Sequence, residues 1–544
     1  MAHELAERGL RVTVFEPKAL GGKARSIAVA GTAAGGRRDL PGEHGFRFFP
    51  GFYKNVPDTM ARIPVAGSAN GVLGHLVDAS QEMFVFEYGQ AWLLPAFDQA
   101  GFQEGMRSII TTIGLAGAVP PNEIEYLVRK MLVFQTSSDA RRVGEWEHMS
   151  WWDFANAARF SPAYQRTFGN GLTKTLVAAK GTKASARTIG LMALAFIYAA
   201  MSQASPEIRQ QSGYGAADRL LDAPTNEAWI DPWVAHLRQL GVHFATGWSA
   251  QRLRMHGGRV RSATLVDAGG HALDVSAAHY VAAMPVEKAR ALFDQPVRHA
   301  APELARLDAL QYDYMNGVQF FLNRMPPHPV RGHVAYLSSP WALTSIDQGV
   351  FWRNDLASTY GDGRLRDILS VDISDFFTPG VLYGKAAVDC TPEEIAAECW
   401  AQVKAGLNTS DDVELTDDML YDWFLDPAVV FAAGKPATST EPLLINTAGS
   451  LADRPDATTS IPNLFLAADY VRCNIDLATM EGANEAGRAA ANGVLDATGS
   501  KATPVALGTL WEPPTWGPAK RVDEQRYRLG QPNLLDLLPA GVPA

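Results

Sequence analysis

Three short blocks carry residues able to do chemistry. The first is Glu16 followed by Leu20–Ser26, which reads LGGKARS. Glu16 closes the β-branched run Arg11–Phe15, and a carboxylate at a strand end can accept from two vicinal hydroxyls at once. Gly21 and Gly22 let backbone approach a phosphate, and Lys23 and Arg25, flanking Ala24, offset its charge. The second block is Glu43–Tyr53, EHGFRFFPGFY. Gly45 permits close approach to a flat ring, and Phe46, Phe48 and Phe49 supply an apolar wall. Glu43, Arg47 and Tyr53 are the candidate polar groups beside that ring. The third block runs from Asn463 to Val494. Asp469 follows the apolar run Leu464–Ala467. Thr479, Met480, Glu481, Gly482 and Ala483 then open a helix, whose free N–H groups can stabilise negative charge. Each block also has a plain structural reading: a solvated strand end, a strand buried on one face, and an amphipathic helix.

The elements that must position these residues follow from local pattern. Ala2–Glu7 favours helix and Gly9 ends it. Arg11–Phe15 is then the second strand of a βαβ dinucleotide unit. Val242–Ala245 is a short strand, Ser249–Met255 and Arg259–Val266 form a meander, and His279–Met284 is a further strand. Residues 66–214 read as largely helical, with amphipathic runs such as Asn122–Phe134. Residues 296–454 read as mixed, with strands around Gly317–Leu322 and Leu369–Ile373. The proline-rich residues 501–544 read as an extended tail.

An acid-ended strand followed by LGGKAR, the EHGFRFFPGFY block and the LFLAAD…ATMEGA run together resemble the FAD-dependent phytoene desaturase and flavin amine oxidase superfamily. The resemblance covers most of the chain to about residue 500. It implies an α/β chain with a Rossmann-like FAD-binding domain of residues 1–65, 215–295 and 455–500. It also implies an inserted α+β substrate domain of residues 66–214 and 296–454. On that basis FAD is bound by Glu16, Gly21, Gly22, Lys23, Ala24, Arg25, Gly45, Phe46, Asp469 and Thr479–Ala483, with backbone near Ala250 at the adenine edge. The Glu43–Tyr53 block then lies near the flavin ring. Three departures stand out. Arg47 occupies a position where the desaturases carry histidine, Ala468 replaces a glycine, and the first strand with its G-x-G-x-x-G turn does not occur. The chain is therefore expected either to start at an internal methionine of a longer frame or to have lost tight FAD binding.

Composition narrows the function. The chain has 544 residues, so more than one core is expected. A net charge of -10 leaves no cation excess for neutralising phosphates, which argues against nucleic acid. Cys390, Cys399 and Cys473 form no metal-ligand spacing and are expected as reduced thiols of a cytoplasmic protein. No stretch reaches the roughly 18 apolar residues of a membrane span. The nearest, Gly190–Met201, reads as a buried helix or the wall of a greasy tunnel. The expected activity is hydride transfer from an apolar, isoprenoid or fatty substrate to flavin, with a peripheral membrane contact and an unassigned electron acceptor. One alternative is an amine oxidase, for which Lys174, Lys180 and Lys183 are candidate lysines. Another is a non-catalytic remnant. Arg47 is expected to pair with Glu43, because a buried charge needs a partner.

Overall fold

In the computed structural model, residues 1–87, 89–93, 102–410 and 412–537 are described. The last part of the expected tail, 538–544, lies outside them. The strands that matter here are β1 (Thr13–Glu16), β2 (Gln81–Phe86), β3 (Gly89–Leu93), β4 (His243–Thr246), β5 (Trp248–His256), β6 (Tyr280–Ala282) and β7 (Asn316–Leu322). They continue with β8 (Gly332–Tyr336), β9 (Leu343–Asp347), β10 (Asp367–Ile373), β11 (Leu420–Leu425), β12 (Val429–Ala432), β13 (Lys435–Ser439) and β14 (Leu464–Leu466). The helices are α1 (Ala2–Glu7), α2 (Asn55–Ala61), α3 (Phe102–Ala116), α4 (Pro121–Thr136), α5 (Ala186–Ala204), α6 (Pro392–Leu407), α7 (Met480–Thr498) and α8 (Gly517–Arg528).

Two parallel strand pairs lie at the base of the molecule. β1 pairs with β4, placing Glu16 opposite Thr246, and β6 pairs with β14. Among the described residues no strand joins the two pairs. Parallel pairs need crossover connections, and here each partner strand comes from more than 180 residues further along the chain.

The large sheet has the order β11-β7-β10-β9-β8-β2-β3. Its strands alternate, so the two faces differ in chemistry. Val318, Phe320, Val371, Leu343, Val334, Tyr336, Met83 and Val85 point to one side and pack with Ile395, Cys399 and Val403 of α6 in one apolar cluster. The register puts Gln319, Ser370, Ile346, His333 and Glu82 in one row on the opposite face, and Gly317, Asp372, Thr344, Ala335 and Phe84 in the next.

Helices α3, α4 and α5 form the largest apolar cluster with Phe49, Phe52, Tyr53 and Ile475. The apolar run Gly190–Met201 is the middle of α5, and Met192, Leu194, Tyr198 and Met201 are buried in that cluster. No helix among the described residues is long and apolar enough to cross a membrane.

The tail departs from its expected extended form. Gly517–Arg528 is helical, opened by Pro518 in the first turn, where a missing N–H costs nothing. Asp523 on this helix is buried and pairs with the equally buried Arg141 at 2.9 Å. Asn533 also donates to Asp523, at 2.8 Å. A stretch rich in proline therefore still closes over the helical layer, because α8 contributes a buried carboxylate to Arg141, which also pairs with Glu145 at 2.5 Å.

Candidate functional site

The site forms where segments distant in sequence meet. Glu481, in the first turn of α7, is buried. Its Oε1 accepts from the backbone N–H groups of Lys54 at 2.8 Å and Asn55 at 2.7 Å, and from Asn55 Nδ2 at 2.9 Å. Its Oε2 accepts from Val56 N–H at 2.8 Å. One carboxylate thus satisfies the free N-terminal donors of α2. Seven residues along the same helical face, Arg488 donates to Asn55 O at 2.8 Å and pairs with Asp58 at 2.5 Å. The start of α7 is thereby fixed against the segment that ends in Tyr53. Burial first, then the Glu481 charge, pushes the Tyr53 hydroxyl above its usual range, while a hydrogen bond with Thr479 opposes the shift. Thr479 accepts from Gly482 N–H at 3.0 Å and caps α7.

Glu43 sits in a closed set of donors. Its carboxylate accepts from Thr225 N–H and Oγ1, both at 2.7 Å, and from Ser26 Oγ at 2.9 Å. Its backbone N–H donates to Gln319 on the polar face of the large sheet. The expected Glu43–Arg47 ion pair does not form. Thr225 and Ser26 take the Glu43 carboxylate first, and Arg47 donates instead to the carbonyls of Phe46, at 2.8 Å, and Lys23. Arg47 Nε is enclosed and has no partner among the described residues. Burial lowers the Arg47 pKa, and the charges of Glu43, Asp372 and Asp426 oppose that. Gly45 has φ +92°, and a Cβ there would lie 2.5 Å from Asp372 Oδ1. A Cβ on Gly317 would lie 2.6 Å from the Gly45 Cα. The Gly45 backbone therefore approaches the sheet itself, and that contact alone requires glycine.

At the end of β1, Glu16 Oε1 accepts from Lys18 N–H at 2.9 Å, and its second oxygen has no described partner. Burial raises its pKa. Gly21 and Gly22 have φ of 108° and 55°, a left-handed bend that turns the backbone sharply after β1. Lys23 donates to Pro442 O, and Arg25 pairs with Glu441 at 3.2 Å. Both cations thus hold the 441–442 turn. Ala24 packs at the edge of the largest apolar cluster. Asp469 lies in the turn after β14, half-buried, with its backbone carbonyl accepting from Arg454. Ala250 is exposed on β5, which pairs with the Arg259–Asp267 strand, and it is not brought to the α7 junction. Phe46 is buried against His333, with ring centroids 5.3 Å apart. Met480 packs at the edge of the largest apolar cluster, Gly482 is buried and Ala483 is exposed. Of the lysines, Lys174 pairs with Asp375 at 2.5 Å.

Four titratable groups near this junction carry no sequence motif. Glu82 and His333 stand opposite each other on the polar sheet face. Asp218 is 2% exposed, and its charge is felt by both Glu82 and Tyr53. Among the described residues His333 Nε2 has no partner, and the Asp218 carboxylate has no side-chain partner. Burial raises Glu82 to about 8, with the Asp218 charge adding to it. Burial raises Asp218 to about 7, against the Arg219 N–H and guanidinium. Asp372 is also raised to about 7 by burial. Burial alone lowers His333 to about 4, so it is neutral at physiological pH. The one sequence signal was an acid in the otherwise apolar strand QEMFVF.

These features fit a flavin dinucleotide. Glu16 keeps an unused acceptor beyond the strand end, Arg47 keeps an unused buried donor, and a 19-residue helix opens at Met480 beside an aromatic wall. A family model described as flavin containing amine oxidoreductase matches residues 164–495. No curated protein matches the chain. Among solved structures, putrescine oxidase bound to putrescine superposes with a TM-score of 0.58 at 12% identity, over 91% of this chain and 96% of that one. Cyclohexylamine oxidase from Brevibacterium oxydans IH-35A gives 0.57 at 13% identity, over 91% and 96%. An oxidoreductase from Methanosarcina mazei gives 0.51 at 11%, also over 91% and 96%. At such identities the likeness is one of fold.

Proposed function

Because this chain belongs to the flavin containing amine oxidoreductases and is an FAD-dependent oxidoreductase, we propose that it dehydrogenates a substrate with an apolar, isoprenoid or fatty body. The flavin, when bound, supplies the hydride acceptor. The observation that carries the reading is the largest apolar cluster. It runs from α3, α4 and α5 into Phe49, Phe52, Tyr53 and Ile475, so a wall of hydrocarbon reaches the junction with α7. Such a wall excludes water and orients an apolar substrate.

The residues take these roles. Residues 1–65, 215–295 and 455–500 hold the cofactor, and 66–214 with 296–454 hold the substrate. The pairs β1–β4 and β6–β14 are two sides of one dinucleotide sheet, with no strand joining them among the described residues. Glu16 accepts from the adenosine ribose hydroxyls, and the Gly21–Gly22 bend follows the phosphates. Within Thr479–Ala483, the N–H groups of Met480 and Glu481 are the ones presented to negative charge, since those of Gly482 and Ala483 donate to Thr479. Glu43 positions the Ser26 and Thr225 loops, while Arg47 and Tyr53 border the reacting region. A second reading, oxidation of an amine, is favoured by Glu82 and Asp218, two carboxyls that make no salt bridge among the described residues.

Anaerobic mixing of the FAD-loaded protein with a polyprenyl hydrocarbon, a long-chain fatty acid and a primary alkylamine tests both. Bleaching of the flavin absorbance by the hydrocarbon or the fatty acid is expected. Bleaching by the amine alone would replace the first reading with the second. For the cofactor, Glu16→Ala is expected to weaken FAD binding by about 1.5–3 kcal/mol, roughly ten- to a hundredfold, in a fluorescence titration. An unchanged Kd would make Glu16 a solvated strand end.

A further inference from the structure

One carboxylate from the turn after β13 engages the cations on both sides of the Gly21–Gly22 bend. Glu441 Oε1 accepts from Lys18 Nζ at 2.7 Å and from one terminal nitrogen of Arg25 at 3.2 Å. Its Oε2 accepts from the other Arg25 nitrogen, also at 3.2 Å, and lies 3.6 Å from His44 Nε2. The Glu441 side chain is 12% exposed, so these contacts form away from bulk water. A guanidinium fork on two oxygens, with an ammonium beside it, is the arrangement that also receives a phosphate.

The charges report the same convergence. Against burial, which raises it, hydrogen bonds from Arg25 and Lys18 and the charge of His44 hold the Glu441 carboxyl down at about 2. Burial and the Glu441 charge raise Glu16, and Lys18 and Arg25 oppose them. Glu441 therefore stands within electrostatic reach of the strand end that carries Glu16, on the side of the bend where Lys18 and Arg25 meet.

The two ends of this network are anchored unequally. His44 Nδ1 lies 2.7 Å from Asp426 Oδ2, and the fully buried Asp426 also accepts from Asn316 Nδ2 at 2.6 Å and Ala428 N–H at 2.9 Å. His44 is thus fixed to the large sheet. Glu441 is held by its side chain: its backbone N–H meets Ser439 Oγ at 3.3 Å, and the preceding Thr440 N–H donates to Ala428 O at 2.9 Å. Rotation of the Glu441 side chain frees Arg25 and Lys18 without moving a strand.

We propose that Glu441 is a displaceable internal anion, which holds the cations of the Gly21–Gly22 bend and yields them to the diphosphate of a dinucleotide. The inference rests on the reading of that bend as the phosphate site. A ligand that needs cations free for only a fraction of the time binds more weakly by that fraction. Glu441→Gln keeps the shape of the side chain and removes its charge. In titrations of the flavin-free full chain it is therefore expected to lower the Kd of FAD and of ADP about tenfold or more, and to leave that of adenosine unchanged. This is the opposite sign to Glu16→Ala. Should Glu441→Gln lose its fold, Glu441→Asp, whose shorter arm falls away from Arg25, reads the same competition with a smaller gain. Binding of FAD and ADP that is unchanged or weaker in the variants overturns this proposal alone, because Glu441 would then brace the bend for its ligand. A gain for adenosine equal to that for ADP also overturns it, since the effect would lie at the ribose and not at the phosphates. No binding of FAD or ADP by parent or variant would sink the phosphate reading, and this proposal with it.

Discussion

Replacing Glu481 with alanine is expected to destabilise the protein by about 3–5 kcal/mol, seen as a lower urea midpoint. The substitution strips partners from the N–H groups of Lys54, Asn55 and Val56 and from the Asn55 amide, all in one enclosed spot. Each buried donor left alone costs roughly 1–3 kcal/mol, and the helix end loses a compensating negative charge. Glu481→Gln retains one acceptor oxygen but turns an amide towards the Val56 N–H, so an intermediate loss is expected. The same change should loosen Tyr53 from Thr479 and reduce flavin content more than other substitutions of similar stability cost. A variant that melts with the parent would show that α2 is capped by water instead.

The second large effect is on pH dependence. Glu82 is raised to about 8 in the folded protein, from an ordinary value near 4.5. Between those two values the folded state holds a proton that the unfolded state has released. Stability from this group is therefore full below about pH 4.5 and is lost as pH rises through 8. The loss is on the order of 5 kcal/mol. Asp218, raised to about 7, acts in the same direction. His333 acts oppositely: held neutral down to about 4, it costs stability as pH falls below its ordinary 6.5. The groups facing Glu82 are thus Asp218 and His333, with the Arg219 guanidinium beyond Asp218. Glu82→Gln should flatten the alkaline limb of the melting-temperature profile of the flavin-free protein and leave the acid limb in place. Coincident profiles for parent and variant would mean that a cation already neutralises the pair.

The legible parts of this molecule were those set by local pattern. The Arg11–Phe15 strand ending in Glu16, the helix spanning Asn122–Phe134 and the strands around Gly317 and Leu369 all follow from periodicity and stop signals. The helix opening at Met480 followed from the LFLAAD…ATMEGA run, read as a strand and a helix start. The contents of the polar sheet face were not legible. Glu82 meets His333 through a parallel register across 250 residues, and nothing in either strand names its partner. The partner of Arg47 was misjudged for a similar reason. Thr225 reaches Glu43 from 182 residues away and takes the carboxylate that local proximity had offered to Arg47. The helix in the tail was hidden by its prolines, although Pro518 in a first turn is where proline is tolerated.

The two-faced sheet sets how this protein can change by insertion and deletion. In β2, β8 and β10 the residues facing the site are Glu82, His333 and Asp372, and their immediate neighbours Met83, Val334 and Val371 face α6. Losing one residue from any of these strands would swap the two sets, driving a carboxyl or an imidazole into hydrocarbon and exposing a core side chain at the site. Losing two would restore the pattern. In a deletion scan along residues 81–86, 332–336 and 367–373, tolerance should therefore alternate by parity, with even lengths surviving far more often than odd ones.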